Sequence, residues 1–482
     1  MDYSEENTSP ADESLLMKPQ QALKERFHFS WKKLLRYMGP GFLMSIAYLD
    51  PGNLQADIQL GAVAGYKLLW LLLASILLGG VFQSRAINVS VVTGKHLAEH
   101  CRMSFPKPVY LLLWCVVELA IIGADIQEVL GSAIALNILT NGFLSIWQGT
   151  LITVVDTCIF LLLQQSGVRR LEFFFGVLIT VMSTMFGYLY FAHLPPQLEI
   201  LKGVCIPKIP PGSITQAVGM IGAVIMPHNL YLHSALTLTR DIDRSQPNDV
   251  RDSIAYNHIE SAIALILSFF INMFVVCNFA SLNIVPEGIL GSQIGVASAA
   301  RCLQLNYGTY YKYMWAIGLL ASGQSSTCTG TLTGQYVMQG FLKMEISAWK
   351  RLSLVRFFAV CPAICVAAFT ESRQRIDEIS EWLNILQAVL LPFSVLPLIC
   401  FSASKLRLGS YSDSIPMRTF LYIAVVIIIA ANFSSCFDVV RSFSLALDMQ
   451  FWTWASVSSA LYLFGLSYFV RHLWAGEVYS GR

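Results

Sequence analysis

The chain has 482 residues, of which 55% are hydrophobic and only 13% are charged, and its mean hydropathy is +0.58. A soluble protein of this length needs far more polar surface, so the composition excludes that class and predicts a polytopic membrane protein. The formal net charge is +2 and no basic run is present, so nothing indicates nucleic-acid binding.

The first 38 residues form a polar tail of mixed charge. No apolar segment precedes a cleavage site in this stretch, so it predicts no cleaved signal peptide. We therefore expect residues 1–38 to be a cytosolic N-terminal tail.

Twelve apolar runs follow the tail, and most are long enough to cross a hydrocarbon core of about 30 Å. Lys and Arg concentrate in alternate loops, so the positive-inside rule supports twelve spans with cytosolic N- and C-termini. The runs are approximately Gly41–Val63, Leu69–Val92, Val109–Leu139, Trp147–Leu163, Phe173–Phe191, Ile214–Leu238, Ile254–Ala280, Tyr313–Phe341, Leu352–Phe369, Trp382–Phe401, Thr419–Ala431 and Phe451–Tyr468.

Two of these runs are interrupted by a proline within a polar tetrad. Residues 50–53 read Asp-Pro-Gly-Asn in the first run, and residues 226–229 read Met-Pro-His-Asn in the sixth. Proline removes a backbone donor and clashes with the carbonyl four residues back, so both helices are predicted to break near the middle of the membrane. An aspartate at that depth requires a partner, a proton or an ion. A hard carboxylate oxygen facing a soft thioether indicates a transition-metal site.

The positions of the two breaks predict an inverted repeat. With breaks in runs one and six, runs one to five and six to ten would form two halves of opposite orientation, with the last two runs appended. Unwinding frees backbone carbonyls on the amino-terminal side of each proline, and half-helix ends direct their dipoles toward the same point. The pattern therefore predicts a cation site where the two breaks meet.

The tetrads and their surroundings resemble the natural resistance-associated macrophage protein (NRAMP) family of proton-coupled divalent metal transporters. The resemblance covers roughly residues 35–400 and rests on residues 39–65, 117–128, 219–236 and 323–327. It implies an all-α, LeuT-type 5+5 inverted repeat with twelve spans. The transport core would occupy residues 39–402, and spans eleven and twelve with a short cytosolic C-terminus would occupy residues 403–482.

The same resemblance implies alternating-access transport of Mn²⁺ or Fe²⁺ with protons across a lipid bilayer, with Co²⁺ and Cd²⁺ as further candidate substrates. It implies no enzymatic activity and no resident cofactor. The sequence leaves open which metal is preferred, the proton stoichiometry and the oligomeric state. It also leaves open whether the membrane is plasma, endosomal, lysosomal or vacuolar.

The resemblance assigns five metal ligands. Asp50 and Asn53 would give side-chain oxygens, Met226 its sulfur, and Ala47 and Ala223 backbone carbonyls. Oxygen ligands alone would also suit Mg²⁺ or Ca²⁺, whereas a thioether adds binding only for softer ions. Met226 is therefore the candidate selectivity residue, with ordinary packing as the alternative.

Polar residues beside the second break are candidates for supporting roles. His228 is a candidate proton carrier near neutral pH. Asn229 either caps the exposed helix end or supports a ligand, and His233 is either structural or a supporting residue. The two histidines are five residues apart, a spacing that does not place both on one helical face, so no two-His metal motif is predicted.

The third run carries three acids that can face the interior of the bundle. Glu118, Asp125 and Glu128 return to one helical stripe within about 80°. We interpret this column as a proton relay that receives the proton displaced when metal arrives at Asp50, with Arg356 as its counter-charge. The alternatives are buried structural ion pairs and, for Arg356, an ordinary positive-inside anchor.

Two departures from the family pattern bear on function. Leu390 stands where the family usually has Gln before Leu-Pro-Phe, which puts the coordination of the closed site or the metal preference in doubt; Gln387, one turn earlier, is a candidate replacement. Gln55 stands where animal members tend to have Glu, which would remove a negative charge from the outer vestibule.

The sequence leaves the pairing of two thiols open. Cys205 and Cys302 both fall in predicted outer loops and are either paired or free.

The same scaffold could serve as a non-transporting sensor or signalling module, although intact Asp50, Asn53 and Met226 argue against this. A sodium-coupled amino-acid carrier of similar fold would have no use for the thioether.

Overall fold

The computed structural model describes residues 29–37, 44, 47–153, 168–240, 242–282, 284, 294–343, 348–369 and 373–444, together with residues 462, 465, 467 and 471. This part of the chain is helical and contains no β-strand. Its helices are α1 (Trp31–Tyr37), α2 (Pro51–Ala64), α3 (Leu69–Thr93), α4 (Leu97–Ser104), α5 (Lys107–Leu139), α6 (Val168–His193), α7 (Gln197–Cys205), α8 (Ile214–Val224), α9 (Pro227–Leu236), α10 (Pro247–Ala280), α11 (Val296–Tyr307), α12 (Thr309–Leu342), α13 (Ala348–Phe369), α14 (Arg373–Ala403), α15 (Lys405–Leu408) and α16 (Ile415–Ser444).

Six helical stretches of the described residues are long and apolar enough to cross a membrane. They are Pro51–Thr93, Lys107–Leu139, Phe173–His193, Pro247–Ala280, Arg375–Ala403 and Ile415–Ser435. The first combines α2 and α3, which are joined by a single 3-10 turn at Gly65–Leu68. The chain is thus an all-helical, multi-pass integral membrane protein. The count of twelve stays a prediction, because most of runs four and twelve lies outside the described residues.

The interior of the bundle is built around α2, α5 and α12. Helices α5 and α12 pack along each other, and α2 packs against α10, α8, α14 and α5. Every residue of α2 from Pro51 to Gly61 is buried, including its polar ones. Each polar side chain of α2 must therefore be satisfied inside the protein.

The structure differs from the sequence expectation outside the long apolar runs. The predicted loops contain four short helices, α4, α7, α11 and α15, which are too short to register as apolar runs. The eleventh run, expected at Thr419–Ala431, is part of the longer α16. Its polar continuation faces the bundle: Asn432 is 2% exposed, and its amide donates to the carbonyl of Ala388 at 2.7 Å. Hydropathy underestimates the length of such a helix because its last buried residues, Asn432 and Ser435, are polar.

The two thiols considered for pairing are both free. Cys205 is exposed at the end of α7, whereas Cys302 is fully buried on α11. The alternative of two unpaired thiols is therefore the one observed.

Candidate metal-binding site

The first tetrad lies where non-helical backbone turns into α2. Asp50 is the N-cap of α2 in an extended conformation (φ −77°, ψ 167°), and Pro51 opens the helix. One carboxylate oxygen, Oδ1, accepts hydrogen bonds from both the backbone N–H and the Nδ2 of Asn53, at 2.7 Å each. Oδ1 of Asn53 is buried and has no hydrogen-bond partner among the described residues. The pair thus presents fixed, buried oxygen with unused lone pairs, which suits a cation.

The second tetrad separates α8 from α9. Helix α8 ends at Val224, α9 begins at Pro227, and Met226 between them is extended (φ −69°, ψ 133°) and 2% exposed. The thioether is therefore enclosed at the start of α9. Fully buried Ala223 lies one residue before the end of α8.

Each proline deprives one carbonyl of its helical partner. In a continuous helix the carbonyl of Ala47 would accept from residue 51 and that of Ala223 from residue 227. Both positions are proline, which has no N–H to donate. The two backbone ligands implied by the resemblance are therefore the two carbonyls that these prolines deprive of a helical donor.

Three successive carbonyls before Asp50 accept hydrogen bonds from side chains on three different helices. Nδ2 of Asn229 (α9) donates to Ala47 at 3.3 Å, Nδ2 of Asn272 (α10) to Tyr48 at 2.9 Å, and Oγ of Ser322 (α12) to Leu49. These donors replace the missing helical hydrogen bonds inside the membrane. Because Asn229 follows Met226 by three residues and Ala47 precedes Asp50 by three, the first of these bonds places the two breaks side by side.

Helix α14 also contacts both breaks. Nδ2 of Asn384 donates to the carbonyl of Gly52 at 2.9 Å, and Oδ1 of Asn384 accepts from Gln127 at 2.9 Å. A Cβ on Gly222 would lie 2.1 Å from the backbone oxygen of Asn384, and one on Gly52 would lie 2.7 Å from Oε1 of Gln127. Only glycine at these two positions allows the half-helices to approach α14 and α5 this closely.

The candidate supporting residues are all buried, but they point to different partners. His228 is 3% exposed, and its Nδ1 has no hydrogen-bond partner among the described residues. His233 lies 3.4 Å from the hydroxyl of Ser261 on α10. Nε2 of Gln387 donates to the carbonyl of Ala120 on α5 at 2.7 Å, so its amide is engaged with the helix that carries the acids.

The acids of α5 occupy two environments. Asp125 and Glu128 are buried and flank Gly330 of α12, where a Cβ would lie 2.5 Å from one carboxylate and 3.2 Å from the other. Glu118, further back along the helix, is half-buried. The structure therefore brings Asp125 and Glu128 together; the side chain of Arg356 lies outside its described residues.

About one turn into α2, a hydrogen-bonded cluster around Gln55 holds α11 against α14. The carboxylate of Asp377 accepts from the backbone N–H of Ala297 (2.7 Å) and of Ser298 (3.2 Å), and from the Ser298 hydroxyl (2.8 Å). Gln55 accepts from the N–H of Val296 at 2.8 Å and donates to the carbonyl of Asp377 at 3.1 Å. We call these five residues the α11 clamp. Gln55 is fully buried in it.

Further polar contacts tie the half-helices to their neighbours at both ends of the bundle. Near the clamp, Glu381 of α14 accepts from Gln59 of α2 at 3.0 Å and from Gln216 of α8 at 3.1 Å. At the other end, α9 contacts α3 and the start of α4. There the Ser90 and Thr237 hydroxyls lie 2.7 Å apart, and the N–H of Leu97 donates to Ser234 at 3.0 Å.

Sequence reasoning missed the residues that satisfy the unwound backbone. Asn272 and Ser322 bond to it directly, Asn384 bonds to Gly52 in the first turn of α2, and Gln127 donates to Asn384. All four are buried within apolar helices. A single polar side chain in an apolar run is the signal that marks them, but the sequence does not say which carbonyl each would meet. It also missed Asp57, a fully buried acid on α2.

Comparison with known proteins gives concordant matches. The chain matches the family model described as natural resistance-associated macrophage protein-like over residues 41–438. A metal transporter nramp1 homolog of Dictyostelium discoideum is 48% identical over 432 residues, covering 89% of this chain and 79% of that protein. Natural resistance-associated macrophage protein 2 of Mus musculus is 43% identical over 428 residues, covering 84% and 75%. The crystal structure of a manganese transporter from Eremococcus coleocola has a TM-score of 0.80 at 28% identity, covering 94% of this chain and 97% of that one.

Proposed function

Because the chain belongs to the natural resistance-associated macrophage protein family, we propose that it moves divalent transition-metal ions, Mn²⁺ or Fe²⁺, together with protons across a membrane by alternating access. The named relatives are a metal transporter and a manganese transporter. The proposed architecture is the twelve-span inverted repeat with spans one and six broken and both termini cytosolic. Family membership also supports the expectation that the chain is not an enzyme.

One observation carries the proposal: the hydrogen bond from Asn229 to the carbonyl of Ala47, which joins the two breaks. Around this junction we assign the ion to the oxygens of Asp50 and Asn53 and the sulfur of Met226. The carbonyl of Ala223, and that of Ala47 once it is released by Asn229, would join it as the half-helices move. The thioether favours Mn²⁺, Fe²⁺ or Cd²⁺ over Ca²⁺ and Mg²⁺.

The composition of this ligand set suits an ion that is released again. The described residues contain no group of three His, Cys, Asp or Glu side chains able to hold a metal. A single carboxylate with amide, carbonyl and thioether ligands binds more weakly than such a cluster. Conduction and transport both require binding that is favourable enough to admit an ion and weak enough to let it leave.

Proton coupling would use the acids next to the site. Metal binding requires an ionised Asp50, so a proton held there is displaced when metal arrives. We propose that Asp125 and Glu128, gathered at Gly330, receive it, with His228 between the site and the relay. A difference of one pH unit supplies about 1.4 kcal/mol per proton, and an inside-negative potential of 100 mV adds about 2.3 kcal/mol per charge.

The contacts at the two ends of the bundle are the natural gates. In the proposed orientation the α11 clamp and Glu381 close the outer side, and the Ser90–Thr237 and Leu97–Ser234 contacts close the inner side. Alternating access would break one set at a time while α2 and α9 pivot about the metal site.

The test is metal uptake into acid-outside proteoliposomes with Mn²⁺, Fe²⁺, Cd²⁺, Ca²⁺ and Mg²⁺. We expect Asp50→Ala to abolish uptake and Met226→Ala to narrow the preference for Cd²⁺ over Ca²⁺. Met220→Ala is the matched control, because Met220 is a fully buried packing residue of α8, so its loss should leave that preference unchanged. Unchanged discrimination in Met226→Ala would refute selection by sulfur.

Measurements of metal binding and metal uptake also distinguish two alternatives. Metal binding to the purified wild type without any uptake would indicate a non-transporting sensor. Uptake with a metal preference that changes on Leu390→Gln would indicate that the departure in α14 alters selectivity. Leu390 is 7% exposed, so it is in the packed interior of that helix.

A further inference from the structure

Helix α2 carries a second acid that the metal site does not use. Asp57 lies seven residues, or about 10 Å of helix, beyond Asp50. It is fully buried, and neither of its carboxylate oxygens has a hydrogen-bond partner among the described residues. Two carboxylates of α14 differ: buried Asp377 accepts three hydrogen bonds, and half-buried Glu381 accepts two.

The register of α2 places Asp57 at the interface with α10. Gln55 and Gln59 bond to α14, and Asp57 lies between them on nearly the opposite side of the helix. It shares its side with Gly61, one turn further on, where a Cβ would lie 2.4 Å from the carbonyl of Val276 on α10. This interface begins at the break, where α10 donates to the unwound backbone, and continues past Asp57.

The charged groups around this interface do not include a cation for Asp57. The titratable groups that interact electrostatically with it are Asp50 on its own helix and Cys277 on α10. Helix α8 contains no ionisable side chain, and α14 bonds to the opposite side of α2 through the backbone carbonyl of Asp377 and the carboxylate of Glu381. On α11 the nearest basic residue, Arg301, is exposed, and on α10 the nearest, His258, is 19 residues or roughly 28 Å of helix from Cys277.

The two buried acids of α5 face a different helix, because Asp125 and Glu128 converge on Gly330 of α12. An ionised carboxylate without donor or counter-ion inside a membrane protein is strongly disfavoured. A metal ion at Asp57 would need several further ligands, whereas a proton needs none. A bound proton, which neutralises the carboxylate, therefore explains how Asp57 is buried without a donor or a counter-ion.

We propose that Asp57 is a second proton-binding site of the transport core, at the interface of α2 and α10 and separate from the metal site. The proton binds one carboxylate oxygen while α2 is packed on α10. It leaves to water when α2 moves away and the ionised carboxylate becomes hydrated. Asp50 and Asp57 are electrostatically linked, so a divalent cation at Asp50 favours release of this proton. This inference rests on the proposed transport function.

The first test measures proton influx and Mn²⁺ uptake together in proteoliposomes. Asp57→Asn mimics the protonated acid and cannot exchange a proton, so we expect Mn²⁺ uptake to persist with lower proton influx per metal ion. We also expect a flatter pH dependence of the KM for Mn²⁺ than in wild type. Asp57→Glu keeps a titratable group and should keep the pH dependence. Wild-type values of both quantities in Asp57→Asn would overturn the proposal.

The second test does not require transport. Infrared difference spectra at neutral pH should show the C=O stretch of a protonated carboxylic acid that is lost in Asp57→Asn and shifted in Asp57→Glu. Asp377→Asn is the control, because that carboxylate has three donors and should contribute no such band. Absence of any difference between wild type and both Asp57 variants would overturn the proposal. Failure of wild-type uptake would instead overturn the proposed function and leave this measurement intact.

Discussion

Asp377→Asn should loosen α11 from α14 while conserving the shape of the side chain. Its carboxylate accepts three hydrogen bonds at the start of α11. The amide keeps one oxygen for the N–H of Ala297 but turns an NH₂ group toward the N–H and hydroxyl of Ser298. Losing charge-assisted bonds to two donors should cost about 2 kcal/mol. That corresponds to roughly a 30-fold rise in the population with α11 detached.

A native thiol reports this detachment. Cys302 lies on α11 and is fully buried in the clamped state, so alkylation by a membrane-impermeant maleimide should require α11 to lift. Peptide-resolved mass spectrometry separates its rate from those of exposed thiols, and Cys302→Ser identifies the signal. Glu378→Gln is the matched control, since this neighbouring acid on α14 is exposed. Equal Cys302 rates in Asp377→Asn and wild type would refute the assignment of the clamp.

Three further outcomes follow from the structure. Asn272→Ala should lower the free energy of unfolding in detergent by about 1–3 kcal/mol, because the buried carbonyl of Tyr48 loses its donor; an unchanged melting temperature would contradict this. Gly222→Ala should abolish metal uptake because its Cβ would lie 2.1 Å from a backbone oxygen of α14, whereas Gly219→Ala, 3.9 Å from its nearest neighbour, should not. Burial and a neighbouring arginine lower the pKa of His100 from 6.5 to about 3, so the folded chain holds it neutral while the unfolded chain is protonated below pH 6.5. The contribution of neutral His100 to the free energy of unfolding is complete above pH 6.5 and decreases by about 1.4 kcal/mol per pH unit between pH 6.5 and 3. His100→Gln should therefore flatten the fall in melting temperature on acidification.

The features that covalent chemistry imposes locally could be read from the sequence. Proline at 51 and 227 predicts where helical hydrogen bonding must fail, and both residues begin a helix in the structure. The partners that repair each failure could not be predicted. Asn272 and Asn384 look like any polar residue in an apolar run until packing brings them to a particular carbonyl.

Tertiary packing also gives two side chains identified from the sequence contacts that the sequence did not predict. The sequence predicts that Gln55 removes a negative charge from an outer vestibule, whereas in the structure Gln55 is buried and bonds to both α11 and α14. Gln387 is the candidate replacement for the family's Gln at position 390, whereas in the structure its amide nitrogen donates to a backbone carbonyl of α5. Composition and motif establish what these groups can bond to, and only the tertiary arrangement selects among the options.

The two prolines give the proposed ion site an unusual vulnerability. Any other residue at position 51 or 227 would restore the amide hydrogen through which a rewound helix bonds to the carbonyl of Ala47 or Ala223. That hydrogen would compete with the ion for the same lone pair, at no entropic disadvantage, since it is part of the chain. Substituting either ring would therefore install a permanent intramolecular competitor, and the site would fail through occupancy by the protein itself even if every ligand side chain were retained.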